Sequence, residues 1–223
     1  MAELYLVRHG QASYGSGNYD RLSDLGWRQS RWLGEYFAER GIAFDRIVRG
    51  TLRRHAETLT GIGEGLGTAI EHGADPGLNE YDSLALLAAH YADQAPAAHQ
   101  GENRRAHFRM LREALYAWAE GTLAGETHEQ FDAFRSRVRG ALESVRAHSA
   151  ADRILVVSSG GPIATIIGEV LGLAPRRIVD LNLQLRNASI SEFRFNARAI
   201  HCVSFNTIPH LDRPDRAEAL TYA

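Results

Sequence analysis

The chain has 223 residues, 44% hydrophobic and 23% charged, enough for one domain with a substantial core. Its formal charge of −2 gives no global basic field, so neither nucleic acid nor membrane is expected as a partner, and any anion site must be local. A single cysteine, Cys202, rules out an internal disulfide, and no apolar run is long enough to span a bilayer.

Residues 4–7 are a short apolar run that stops at Arg8, His9 and Gly10, as a buried strand feeding a functional loop would. The strand pattern begins by Leu4, leaving no room for a leader segment, so a cytoplasmic location is expected. After the polar, glycine-rich residues 11–21, Ser23 is placed to cap a helix to about Arg40, with Gly41 as its stop. A strand at 46–49, a helix at about 52–66 and a strand at 68–71 follow, the alternation of a mostly parallel sheet.

That rhythm breaks at about 75–127, read as a helical insertion that caps the sheet, with an amphipathic stretch at 103–118. A long helix at about 128–148 repeats Phe131, Phe134, Val138, Ala141, Leu142 and Val145 at three- and four-residue intervals, which marks a core-facing stripe. An apolar strand at 153–157 runs into Ser158, Ser159, Gly160, Gly161 and Pro162 and then a helix through Leu171. Strand, small-residue turn and helix N-terminus is a geometry suited to phosphate. Runs at 189–195 and 199–205 pair across a turn at Asn196, and the polar tail, 214–223, is expected to be loose. The prediction is one α/β domain over 1–213 with its insertion and tail.

Arg8-His9-Gly10 puts an imidazole beside a permanent cation where backbone can approach a ligand closely. A neutral imidazole nitrogen can attack phosphorus while guanidinium groups neutralise the equatorial oxygens. Further pieces follow in order: Leu22, Ser23, Leu25, Gly26 and Gln29; then Leu52 through Thr58; then Leu78-Asn79-Glu80. Gly125-Glu126-Thr127, with Arg137 and Val138, and Ser204-Phe205-Asn206, with His210 and Leu211, complete the series.

In this order the pieces resemble the histidine phosphatase superfamily (phosphoglycerate-mutase-like, branch 1) over nearly the whole chain up to Leu211. The resemblance implies a three-layer α/β/α fold with a helical cap, phosphate held by Arg8 and Arg54, a phosphohistidine on His9, and Glu80 as proton donor. Asp82 is the nearest substitute acid. Gln11 and Ser13 become candidates for contact with substrate from the loop after His9. No cofactor and no metal are implied.

One departure matters. Family members carry a second catalytic histidine in a Ser-His-Gly-Gly turn, whereas this turn reads Ser158-Ser159-Gly160-Gly161. Ser159 therefore stands at the histidine's position beside Gly160, with a hydroxyl that can donate one hydrogen bond but supplies no charge; losing a transition-state donor costs about two to three orders of magnitude. Ser159→His tests this reading: a rise in turnover supports a trimmed pocket that works without the imidazole, and no change makes the alignment of this turn suspect. His55, His72, His90, His99, His107, His128 and His148 read as packing or surface residues, and His201 and His210 as lesser candidates for entering the site.

The expectation is a phosphatase acting on a phosphate monoester, with reduced or specialised activity and a small phosphorylated substrate or inorganic phosphate as ligand. The alternative is a non-catalytic phospholigand-binding module. A phosphomutase fits less well, because Gln11-Ala12-Ser13 lacks the Glu-Ser start of glycolytic mutases. Assembly into a homo-oligomer is left open.

Overall fold

A computed structural model describes residues 1–13, 20–91, 103–147 and 152–222. The apolar run that opens the chain becomes β1 (Ala2–Arg8), covered on both edges: β4 (Arg153–Ser158) pairs with it in parallel and β5 (Ile190–Phe195) antiparallel. With β2 (Arg46–Arg49), β3 (Gly73–Ala74) and β6 (Ile200–Thr207) the sheet has the order β3-β2-β4-β1-β5-β6. β3, β2, β4 and β1 run parallel, and β5 and β6 form the expected hairpin.

Alternation along the strands feeds two separate cores, because successive side chains point to opposite faces. Leu4, Leu6, Ile154 and Val156 face α5 (Phe131–Ala147) and α6 (Gly160–Leu171), meeting Phe134, Val138, Ile163 and Ile167. Val7, Leu155 and Val157 face α1 (Asp24–Glu39) and α2 (Arg53–Leu66), meeting Leu33, Phe37, Leu59 and Ile62. Helix, sheet, helix is thus the three-layer α/β arrangement predicted. The stripe anticipated on α5 is buried at all six positions.

α1 and α2 approach closely because glycine faces backbone at their contact. A Cβ on Gly34 would lie 2.1 Å from the Ile62 carbonyl oxygen, and one on Gly65 2.1 Å from that of Arg31. This contact sets where the first turn of α2 stands relative to the end of β1. Within 75–127 the described elements are a 3-10 turn (Pro76–Leu78), α3 (Ser83–Tyr91) and α4 (Asn103–Ala119).

Three details differ from the sequence reading. The third strand forms at Gly73–Ala74, not 68–71: Gly67 turns left-handed to end α2, Thr68 donates back to Gly63, and Ile70 packs on the core, so only the next residues reach the sheet. The stretch between Leu171 and Ser189, to which no element was assigned, contains α7 (Pro175–Asn182), started by its proline. The tail is anchored: Pro214–Ala219 is a 3-10 helix, Gln29 Nε2 donates to Ala219 O at 2.7 Å, and Asn187 N donates to Thr221 O at 3.0 Å. Among the described residues no helix is long and apolar enough to cross a membrane.

Candidate active site

β1, β2 and β4 end side by side, which is where open parallel sheets bind ligands. At the end of β1, His9 N donates to Ser158 O at 2.9 Å, and His9 O accepts from Ala188 N at 3.2 Å and Asn187 Nδ2 at 3.3 Å. The backbone is therefore gripped from both neighbouring segments. His9 Nδ1 lies 2.7 Å from the carbonyl oxygen of Gly10; a carbonyl only accepts, so Nδ1 carries the proton and Nε2 keeps its lone pair. Burial first, then the charges of Arg54 and Arg8, hold this imidazole well below the usual histidine range, so it is neutral. Gly10 N donates to Thr58 Oγ1 at 3.0 Å, tying this turn to α2.

The first turn of α2 brings a cation and an imidazole. Arg54 Nη1 pairs with Asp20 Oδ1 at 2.9 Å, and Arg54 Nη2 donates to Ser159 Oγ at 3.4 Å. His55 is fully buried, with Nε2 2.7 Å from Ser159 Oγ and its ring centroid 5.8 Å from that of His9. Burial, followed by the Arg54 charge, pushes this imidazole well below its ordinary range too. Room for the ring exists because residue 50 is glycine: a Cβ there would fall 2.2 Å from His55 Nδ1 and 2.6 Å from Cε1.

Glu80 follows the 3-10 turn in a segment held at each residue before it. Ser158 Oγ donates to Leu78 O at 2.7 Å, and Asn79 exchanges two bonds with Thr51, as its Oδ1 accepts from Thr51 N at 2.7 Å and its Nδ2 donates to Thr51 Oγ1 at 2.6 Å. Arg137, ion-paired with Glu129, donates to Gly77 O at 3.0 Å and Asn79 O at 2.7 Å. The Glu80 carboxyl faces the first turn of α6. Burial raises its pKa above the usual carboxylate range, against the opposing pull of Arg54, the Gly161 N–H and Arg8.

Arg8, His9, Arg54, Ser159 and Gly160 thus share one buried neighbourhood, with Glu80 half-buried beside it. Arg8 donates through Nη1 to Leu185 O, and a Cβ on Gly160 would lie 3.7 Å from Arg8 Nε. Gln11 and Ser13 turn elsewhere in the described residues: Ser23 Oγ donates to Gln11 Oε1 at 2.7 Å, and Ser13 Oγ donates to Leu22 O at 2.9 Å. Asp82 is exposed and accepts from Leu84 N and Ala85 N at the start of α3. His201 is exposed on β6, and His210 is buried beside Tyr36. His99 and His148 lie outside the described residues.

The residue that sequence reasoning passed over is His55, read as packing because it falls on a helix. Two signals pointed to it: it directly follows Arg54, and the chain carries this histidine where the turn at Ser159 has none. Among the described residues no three His, Cys, Asp or Glu side chains are grouped to hold a metal ion.

Comparison with known proteins agrees on a family. The model of the histidine phosphatase superfamily (branch 1) matches residues 4–208. The chain is similar to a protein of Klebsiella pneumoniae named "Probable phosphoglycerate mutase GpmB", 27% identical over 226 residues that cover 96% of this chain and 97% of the relative. Among solved structures it resembles a phosphoserine phosphatase from Entamoeba histolytica in complex with 3-phosphoglyceric acid, with a TM-score of 0.68 at 20% identity, covering 95% of this chain and 100% of the other. A mycobacterial glucosyl-3-phosphoglycerate phosphatase gives a TM-score of 0.65 at 24% identity, over 93% of this chain and 99% of the other.

Proposed function

The chain belongs to the histidine phosphatase superfamily (branch 1), and from that premise we propose that it hydrolyses a phosphate monoester of a small molecule through a phosphohistidine on His9. The observation that carries this reading is the His9 ring itself: neutral, with Nδ1 committed to Gly10 O and Nε2 left as nucleophile.

In the first step the Nε2 lone pair attacks phosphorus, the N–P bond forms and the P–O bond to the leaving group breaks. Glu80, protonated because burial raises its pKa, gives its proton to the departing oxygen. In the second step water loses a proton to the Glu80 carboxylate and attacks phosphorus. The N–P bond breaks, releasing inorganic phosphate and restoring neutral His9. Arg8 and Arg54 neutralise the phosphoryl oxygens throughout, in a pocket where charge is poorly screened. In this reading Ser159 stands where relatives carry a second histidine. The segments 75–127 and 11–21 select the substrate.

Relatives named as probable phosphoglycerate mutases favour a second reading, in which the phosphoryl group passes to another hydroxyl instead of water. Purified protein should release phosphate from an aryl phosphate and yield an acid-labile phosphoenzyme, and His9→Ala should do neither. Turnover equal to that of His9→Ala sinks the phosphatase reading. Transfer between the hydroxyls of a phosphoglycerate without net phosphate release selects the mutase.

A further inference from the structure

Two side chains from the first turn of α2 converge on one hydroxyl in the turn after β4. Ser159 is the N-cap residue of α6, yet its side chain makes no capping bond to that helix. The capping role is taken instead by Glu80, which accepts from Gly161 N. Ser159 Oγ is therefore released for other work, and it meets Arg54 Nη2 at 3.4 Å and His55 Nε2 at 2.7 Å.

A hydroxyl has two acceptor lone pairs and one proton. Guanidinium can only donate, so Arg54 uses one lone pair. His55 Nδ1 makes no hydrogen bond of ordinary geometry, while the Gly50 backbone opposes the lowering of the His55 pKa by burial and Arg54. With the ring proton on Nε2, His55 donates to the second lone pair of Ser159 Oγ. That leaves the hydroxyl with one proton and no bonded acceptor for it among the described residues.

We propose that His55, with its ring proton on Nε2, is a positioning residue which, with Arg54, polarises the Ser159 hydroxyl so that its proton is donated to a phosphoryl oxygen, the pair replacing a second histidine. The inference rests on the phosphatase reading of this site. Gly50 belongs to the arrangement, since any side chain there would occupy the space of the imidazole.

The test compares wild type, His9→Ala, Ser159→Ala, His55→Leu, His55→Gln and His55→Leu/Ser159→Ala on one aryl phosphate, with kcat and KM separated and folding followed by unfolding midpoint. Ser159→Ala should lose about a hundredfold in kcat, the usual cost of one transition-state donor. His55→Leu keeps the volume without the donor and should lose about tenfold or more in kcat with little change in KM. His55→Gln, whose amide N–H reaches toward the same hydroxyl, should recover most of that loss. The double variant should be no slower than Ser159→Ala, because two groups acting through one hydroxyl are not additive.

His55→Leu within twofold of wild type overturns the inference, as do equal rates for Leu and Gln, or losses that multiply in the double variant. If His55→Leu does not fold, His55→Asn replaces it: its amide is too short to reach Ser159, so Asn and Gln of equal rate also overturn it. Wild type no faster than His9→Ala brings down the phosphatase reading together with this one. Loss in His9→Ala without loss at position 55 brings down this one alone.

Discussion

The Gly161 backbone N–H lies 3.1 Å from Oε1 of Glu80 and 3.2 Å from Oε2, so the carboxyl is held against the first turn of α6. Such an approach requires the absence of a side chain. A Cβ on residue 161 would fall 2.2 Å from Oε1 and 2.7 Å from Tyr81 Cε1. Gly161→Ala is expected to push Glu80 aside and lower kcat by about a hundredfold, the cost of misplacing a catalytic group by about 1 Å. Steady-state kinetics beside a phosphate-binding titration check this: binding should survive while turnover falls.

Opposite displacements of two pKa values shape the pH profile. His9 must be neutral, and it stays so to well below the ordinary histidine value because burial and the Arg54 and Arg8 charges oppose its protonation. Glu80 must be protonated in the first step, and burial keeps it so above the ordinary carboxylate value. The profile of kcat/KM should therefore fall on the acid side as His9 gains its proton and on the alkaline side as Glu80 loses its own. The optimum should lie between these two limbs, and Glu80→Gln should abolish the alkaline limb of whatever activity is left. An alkaline limb unchanged in that variant assigns it to another group.

The 2.7 Å contact between His55 Nε2 and Ser159 Oγ decides which outcome a histidine placed at 159 should give. Both residues are fully buried, so a second imidazole has no space beside the first. Ser159→His alone should lose stability by about 1–3 kcal/mol, the usual cost of overpacking, and should lose activity with it. Combined with His55→Ala it should regain both, as seen by urea unfolding and by kcat. A single variant more active than wild type contradicts the packing described.

His210 is 2% exposed, with neither ring nitrogen hydrogen-bonded, and burial together with the nearby Arg216 lowers its pKa to about 3. The unfolded chain takes up this proton below the ordinary value of 6.5, whereas the folded chain does so only near 3. Between these values the unfolded state binds more protons, so stability is lost as pH falls, at up to about 1.4 kcal/mol per pH unit for one such group. His9 and His55, buried and displaced the same way, add to the slope. Urea unfolding at pH 7 and pH 5 should show a smaller difference in His210→Phe than in wild type, and an equal difference removes His210 from the account.

Most of the frame was legible because it is written in local signals: apolar runs for β1 and β4, Ser23 and Gly41 bracketing α1, the stripe on α5. β3 was misplaced because the residues after Gly67 serve the end of α2 before any of them can join the sheet. In the candidate site, the fold brings together Arg8, His9, Arg54 and Glu80, which were expected from motif order. His55 was not, because its meaning depends on Ser159, 104 positions further on, and on the missing side chain of Gly50. A contact of that kind has no period or spacing in the sequence. The anchored tail escaped for the same reason: its polar residues look solvated until Gln29 and Asn187 are seen to receive them.

Thr221 accepts from Asn187 N at 3.0 Å through its carbonyl and donates from Oγ1 to Asn187 Oδ1 at 3.0 Å, while the amide of the same Asn187 reaches His9 O at 3.3 Å. The brace joins His9 to a residue made much later in the chain, so a nascent chain carries His9 without it until residue 221 has been added. Translation that stalls even a few codons before residue 221 yields a polypeptide with every expected catalytic side chain but without the Thr221 bonds that hold Asn187 against His9.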